Sequence, residues 1–167
     1  MDHVAVVYNA RSGALLAQAG AAQSLPERLE KLFARRAVTV QARPFDPRTL
    51  AADVRELLAG WPDAVLAAGG DGTVRSVAEH LLGGEVPLGI LPGGTMNVLA
   101  RDLAVPEDIE HAVEALVAAP VERIDVASVM AYTSVMSDGE IAQLSTPLTY
   151  GISPRALAVL APNAAAS

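Results

Sequence analysis

The sequence predicts an α/β fold, an open parallel sheet flanked by helices, with a small C-terminal β appendage. Three observations carry this prediction. Short apolar runs at Val4 to Tyr8, Val38 to Gln41, Ala64 to Ala68 and Leu88 to Leu91 alternate with helix-length segments, the order of stacked βα units. Two of these runs lead directly into glycine-centred loops, Gly69 to Thr73 and Pro92 to Asn97. Beyond Val121 the pattern changes to the alternation of strands, with Asp138-Gly139 as a hairpin turn signal between two short runs.

Taken in order, the first strand Val4 to Tyr8 opens onto the loop Asn9-Ala-Arg-Ser-Gly13. Ser24 and Glu27 form a capping box, and Leu25, Leu29, Leu32 and Phe33 then share one helical face. After the strand Val38 to Gln41, Pro47 is expected to open a helix with a stripe of Leu50, Val54, Leu57 and Leu58, and Gly60 to end it. Trp61, before Pro62, is expected to pack at that helix exit. The run from Asp63 to Ala68 has the unbroken apolarity of a strand buried on both faces, and Thr73 to Leu82 reads as the helix after it. Pro106, Glu107 and Asp108 announce a last helix whose Ile109, Val113, Leu116 and Val117 face inward.

The two glycine loops point to chemistry. A sharp strand-to-helix turn favours Gly, which adopts positive φ without a Cβ clash. Absent side chains also let backbone N–H groups approach phosphate oxygens, and the following helix offers its positive dipole end. In the second loop Thr95 is available as an N-cap or a phosphate-contacting hydroxyl. Loops of this kind on adjacent parallel strands would line one crevice at their carboxyl ends. Asp71 stands between glycines, where a carboxylate beside phosphates needs a bridging cation or a hydroxyl proton to accept. A plain Asx turn or N-cap would account for it equally.

GGDGT at Gly69 to Thr73, followed by LPGGTMNVLARDL at Leu91 to Leu103, resembles the signature of the diacylglycerol kinase and sphingosine kinase superfamily, especially its soluble bacterial lipid kinases. Asn9 to Gly13 resembles the first nucleotide loop of that family. The GGDG element is shared with NAD kinases, whose second glycine loop differs from LPGGTMNVLAR. The resemblance implies that the three loops hold ATP with Mg2+ and that a lipid hydroxyl is phosphorylated. It assigns nucleotide contacts to Asn9, Ser12, Gly13, Gly69, Gly70, Asp71, Gly72, Thr73, Gly93, Gly94, Thr95 and Asn97. Asp71 would organise Mg2+ or the reacting hydroxyl. Glu140, in an Asp-Gly-Glu turn, would be the general base.

The chain departs from the family pattern in three places. Ala10 replaces the usual Pro of the first loop, and Val98 stands where Asp commonly follows Asn97. After Ile124 to Ser128 the long β-rich second domain of full-length members is replaced by a short passage into Val135 to Glu140 and Pro147 to Leu160. This divides the chain into a nucleotide-binding unit over 1–124, a shortened β-rich remnant over 125–162 and a tail over 163–167. Two functional readings stay open, a lipid kinase of diacylglycerol or sphingoid type and a nucleotide-binding remnant without catalysis, with an NAD kinase-like enzyme as a further alternative. In either case the shortened second half is expected to leave sheet edges that favour self-association as a homodimer.

Composition sets bounds. The chain of 167 residues suits one domain, with 51% hydrophobic residues and no Cys to build a disulfide framework or thiolate metal site. No metal-ligating cluster is evident, since His3, His80 and His111 are scattered. A net charge of −7 argues against nucleic acid as a partner and disfavours steady docking on anionic bilayers. With no run near the roughly 18 apolar residues of a membrane span, the expectation is a cytoplasmic protein that meets its lipid substrate transiently at the membrane surface.

Overall fold

The computed structural model describes residues 1–19, 24–131 and 148–162. The elements are β1 (His3–Tyr8), α1 (Gly13–Ala19), α2 (Leu25–Ala34), β2 (Thr39–Pro44), α3 (Leu50–Ala59), β3 (Ala64–Gly69), α4 (Asp71–Glu79), β4 (Leu88–Pro92), α5 (Val98–Asp102), α6 (Ile109–Ala118), β5 (Val121–Ala131) and β6 (Leu148–Leu160). Six strands form one sheet in the order β2-β1-β3-β4-β6-β5. The first four are parallel, and β5 and β6 are an antiparallel pair joined to β4 through Leu88 opposite Val159.

Every residue of β3 and β4 is buried, as the continuous apolar runs require of strands covered on both faces. β2, at the edge, is only partly buried. The capping box of α2 is present, with Ser24 and Glu27 each bonded to the other's backbone N–H, and Leu25, Leu29, Leu32 and Phe33 are buried. Leu50, Val54 and Leu57 bury the face of α3, and Ile109, Val113 and Leu116 that of α6. Helix α2 packs on α1, α6 and β2, while α3 lies on β1 and α4 on β3.

Three expectations are corrected. Helix α3 starts at Leu50 and not at Pro47, because Pro47 belongs to a turn in which Asp46 accepts the Arg48 N–H through Oδ1 (2.9 Å) and the Leu50 N–H through its carbonyl (2.9 Å). Helix α4 spans Asp71–Glu79 and so begins inside the glycine loop. Trp61 does not pack at the helix exit: it is 89% exposed. The left-handed backbone that ends α3 falls on Trp61 (φ 52°), with Gly60 at φ −79°. Its side chain lies beyond the last turn and has no helix face to cover.

The β5–β6 pair is in part core and in part projection. Leu157 to Leu160 are buried, while residues 151–155 are exposed, Ile152 to 73%. The change coincides with a break in register between Ile124 and Val126. There Arg155, at φ 50°, donates its N–H to Asp125 Oδ1 at 2.8 Å.

Candidate functional site

In the order β2-β1-β3-β4 the chain passes from β1 outward to β2 and then back across β1 to β3, so the strand order reverses and a crevice opens at the carboxyl ends of β1 and β3. The three glycine-containing loops meet at this end of the sheet, following β1, β3 and β4, which are neighbours. Backbone bonds tie them together. Asn9 N–H donates to the Ala68 carbonyl at 2.8 Å, and Gly93 N–H donates to the Gly69 carbonyl at 2.8 Å.

The first loop is a tight turn. Asn9 Oδ1 accepts the Arg11 N–H at 2.9 Å, an Asx turn, and the Asn9 carbonyl accepts the Ser12 N–H at 3.0 Å. Ser12 is buried and its hydroxyl donates to the Gly93 carbonyl at 2.5 Å, while Oγ accepts the Leu15 N–H at 3.3 Å. Gly13 starts α1, and a Cβ there would meet nothing within 4 Å.

In the second loop Gly70 is the N-cap of α4 in extended conformation. The N–H groups of Asp71 and Gly72 therefore open a nine-residue helix, where the backbone has no intrahelical acceptor for them. The Thr73 N–H returns to the Gly70 carbonyl at 2.9 Å, and its side chain is buried against Gly69, whose added Cβ would lie 2.7 Å from Thr73 Oγ1. Asp71 is exposed and accepts the Val98 N–H on Oδ1 at 2.8 Å. It is therefore neither an Asx turn nor the cap of its own helix; it caps α5.

The third loop closes on itself. Asn97, buried and left-handed at φ 49°, donates Nδ2 to the Gly94 carbonyl at 2.9 Å and accepts the Gly94 N–H on Oδ1 at 2.8 Å. Asn97 is the N-cap position of α5 without a side-chain cap bond, so Thr95 does not cap the helix; it is exposed. Gly94 lies against Gly70: a Cβ on Gly94 would sit 2.6 Å from the Gly70 Cα. A Cβ on Gly93 would meet Leu15 at 2.6 Å and Ser12 Oγ at 2.8 Å.

Beside the first loop a groove of about 430 Å3 is lined by Asn9, Ala10, Arg11, Phe45, Asp46, Pro47 and Arg48. Of these residues only Asn9 is assigned a nucleotide contact by the resemblance. Phe45 to Arg48 follow β2 and carry no glycine signature; they reach the site because the Phe45 N–H bonds the Tyr8 carbonyl at 2.7 Å. Three carboxyls are held below their ordinary range by backbone N–H bonds, Glu27, Asp63 and Asp108, and all three lie outside the loops. Among the described residues no three His, Asp or Glu side chains gather as a metal cluster, and Asp71 is the one carboxylate in the sequence of the three loops. Glu140 and the Asp138-Gly139 turn lie outside the described residues. No helix is long and apolar enough, among the described residues, to cross a membrane.

The family model of the diacylglycerol kinase catalytic domain matches residues 3–129. A diacylglycerol kinase of Staphylococcus saprophyticus is 30% identical over 149 residues, covering 84% of this chain and 46% of that protein. A diacylglycerol kinase of Mycobacterium tuberculosis is 45% identical over 58 residues, 32% of this chain and 19% of that one. The crystal structure of a diacylglycerol kinase from Bacillus anthracis superposes with a TM-score of 0.59 at 26% identity, over 77% of this chain and 47% of that one. The chain thus spans less than half the length of each of these relatives.

Proposed function

The chain belongs to the diacylglycerol kinase catalytic-domain family, and from this premise we propose that residues 1–124 bind ATP with Mg2+ and that its γ-phosphate passes to a lipid hydroxyl, of diacylglycerol or sphingoid type. The observation that carries this reading is the meeting of three loops at the carboxyl ends of β1, β3 and β4, with the amides of Asp71 and Gly72 opening a helix among them. Phosphoryl transfer depends chiefly on positioning and charge neutralisation. Helix-opening amides and their dipole favour phosphate there, and Gly13 and Gly72, open on their Cβ side, leave room for it. The nucleoside lies in the groove between Asn9 and Arg48.

The residues present fit a magnesium ion of the kind that takes one or two carboxylates together with substrate phosphates. Asp71 would hold it through Oδ2, since Oδ1 already accepts the Val98 N–H. The ion would supply charge neutralisation at the phosphates. Thr95, exposed in the third loop, contacts a phosphate, and Glu140 accepts the hydroxyl proton. Residues 125–162 would be what this chain keeps of the family's β-rich second domain, and the lipid would approach from the membrane surface.

Titration calorimetry with ATP and Mg2+ tests the reading. Binding is expected, and a folded sample that binds no ATP overturns it. A second reading, nucleotide binding without transfer, rests on the short passage between Ser128 and Pro147, where the family pattern carries a long β-rich second domain. Radiolabel transfer from ATP to diacylglycerol in mixed micelles separates the two: labelled lipid supports the kinase, and binding without labelled lipid supports the second reading.

A further inference from the structure

We infer that Ser12 is a positioning residue, which locks the Gly93–Gly94 peptide and so keeps the three loops in one register, without touching the nucleotide. The inference rests on the nucleotide site proposed above. A serine hydroxyl has a single proton to donate. In Ser12 that proton goes to the Gly93 carbonyl at 2.5 Å, and the side chain is buried, with the residue 7% exposed.

The carbonyl of Gly93 and the N–H of Gly94 belong to one planar peptide unit. Ser12 holds the carbonyl edge, and Asn97 Oδ1 holds the N–H edge at 2.8 Å. The Gly93 N–H, on the preceding plane, is held by the Gly69 carbonyl at 2.8 Å. A Gly-Gly step has no side chain to restrain it and passes easily between backbone basins. Without Ser12 this plane keeps one anchor and is free to turn. The consequence reaches the second loop, because Gly94 lies against Gly70, the residue that caps α4. Ser12 also accepts the Leu15 N–H at 3.3 Å, so the same hydroxyl binds the start of α1 to the far loop.

The test compares Ser12→Ala with Ser24→Ala, which removes an exposed hydroxyl cap from α2, away from the loops. Each full chain is titrated with ATP and Mg2+, melted, and followed by amide hydrogen exchange at Gly93 and Gly94. Ser12→Ala is expected to weaken ATP binding by roughly tenfold, the factor expected from one lost buried hydrogen bond, and to speed exchange at Gly94. Ser24→Ala is expected to lower the melting temperature, as a lost helix cap does, with affinity unchanged. Equal ATP affinity in Ser12→Ala and the parent chain overturns the inference, as does an equal loss of affinity in both variants. If Ser12→Ala does not fold, slow exchange of the Gly94 amide in the parent chain supports the lock and fast exchange refutes it. If the parent chain binds no ATP, the nucleotide reading falls, while exchange at Gly94 in the two variants still decides whether Ser12 holds the peptide.

Discussion

The loop after β3 and the loop after β4 both follow fully buried strands and both begin with paired glycines, yet they use their amides differently. In the second loop of the chain, Asp71 and Gly72 present N–H groups at the start of α4, where the helix has no acceptor for them. In the third, the Gly93 N–H is bonded to Gly69 and the Gly94 N–H to Asn97. One loop leaves two amides at a helix start, as the proposed phosphate site would need, and the other uses its amides to hold the loops together. Similar glycine content therefore serves two needs: open approach at Gly72, where an added Cβ meets nothing within 4 Å, and close backbone contact at Gly94, where it meets Gly70 at 2.6 Å.

Gly94→Ala is the most severe way to break this comparison. Its Cβ would press on the Gly70 backbone and sit 3.0 Å from Asn97 Oδ1, so the two loops must separate. A loss of about 1–3 kcal/mol in unfolding free energy is expected, together with loss of ATP binding, measured by urea denaturation and calorimetry. A stability unchanged from the parent would show that the two loops do not need this contact.

Asp71 joins the two loops and separates bracing from charge. Asp71→Ala removes the acceptor for the Val98 N–H and should cost about 1 kcal/mol, as for other lost helix caps. Asp71→Asn keeps an oxygen acceptor and should retain most of that stability while abolishing Mg2+-dependent phosphate transfer or hydrolysis. Equal melting temperatures for the two variants would show that the carboxylate does not brace α5.

Gly72→Ala sharpens the contrast in the opposite direction. The site is helical and open, so the variant should be about 0.5–1 kcal/mol more stable. Its ATP affinity should fall, because the methyl stands where phosphate oxygens approach. Unchanged affinity would move the phosphate site away from α4.

The smallest effect concerns acid and the far end of the sheet. The Asp63 carboxylate accepts the N–H groups of His3 (3.0 Å) and Asp2 (2.5 Å), and these bonds hold its pKa below the ordinary 3.8. A folded-state pKa below the unfolded one contributes stability above about pH 4 that is lost as pH falls through the folded value. Asp63 is exposed, so solvent screening keeps the contribution small. Melting temperatures of the parent and Asp63→Asn should converge as pH falls from 5 toward about 2. A gap that persists at the lowest pH would show that the carboxylate's charge is not what stabilises this corner.

Much of the fold was legible because local patterns coincide with burial. The runs Val4 to Tyr8, Ala64 to Ala68 and Leu88 to Leu91 are strands, since unbroken apolarity over that length suits a doubly covered sheet, and the stripes of α2, α3 and α6 are core. Helix α1 was not foreseen, because in its seven residues only Leu15 is buried among the described side chains, too little for a periodic signal. Trp61 was misread because apolar character predicts burial only on average, and a left-handed residue beyond a helix end can carry its ring into solvent.

The glycine loops, their place after buried strands and the resemblance they carry were determined by the sequence, because a strand-to-helix turn and an amide-lined approach demand glycine locally. The roles of the side chains around them were decided by tertiary structure. Ser12 meets Gly93 across 81 positions of chain, and Asp71 meets Val98 across 27. Such bonds form only after strand order has brought the carboxyl ends of β1, β3 and β4 together. A hydroxyl or carboxylate has several partners of equal chemistry available in an extended chain, and the packed sheet selects among them.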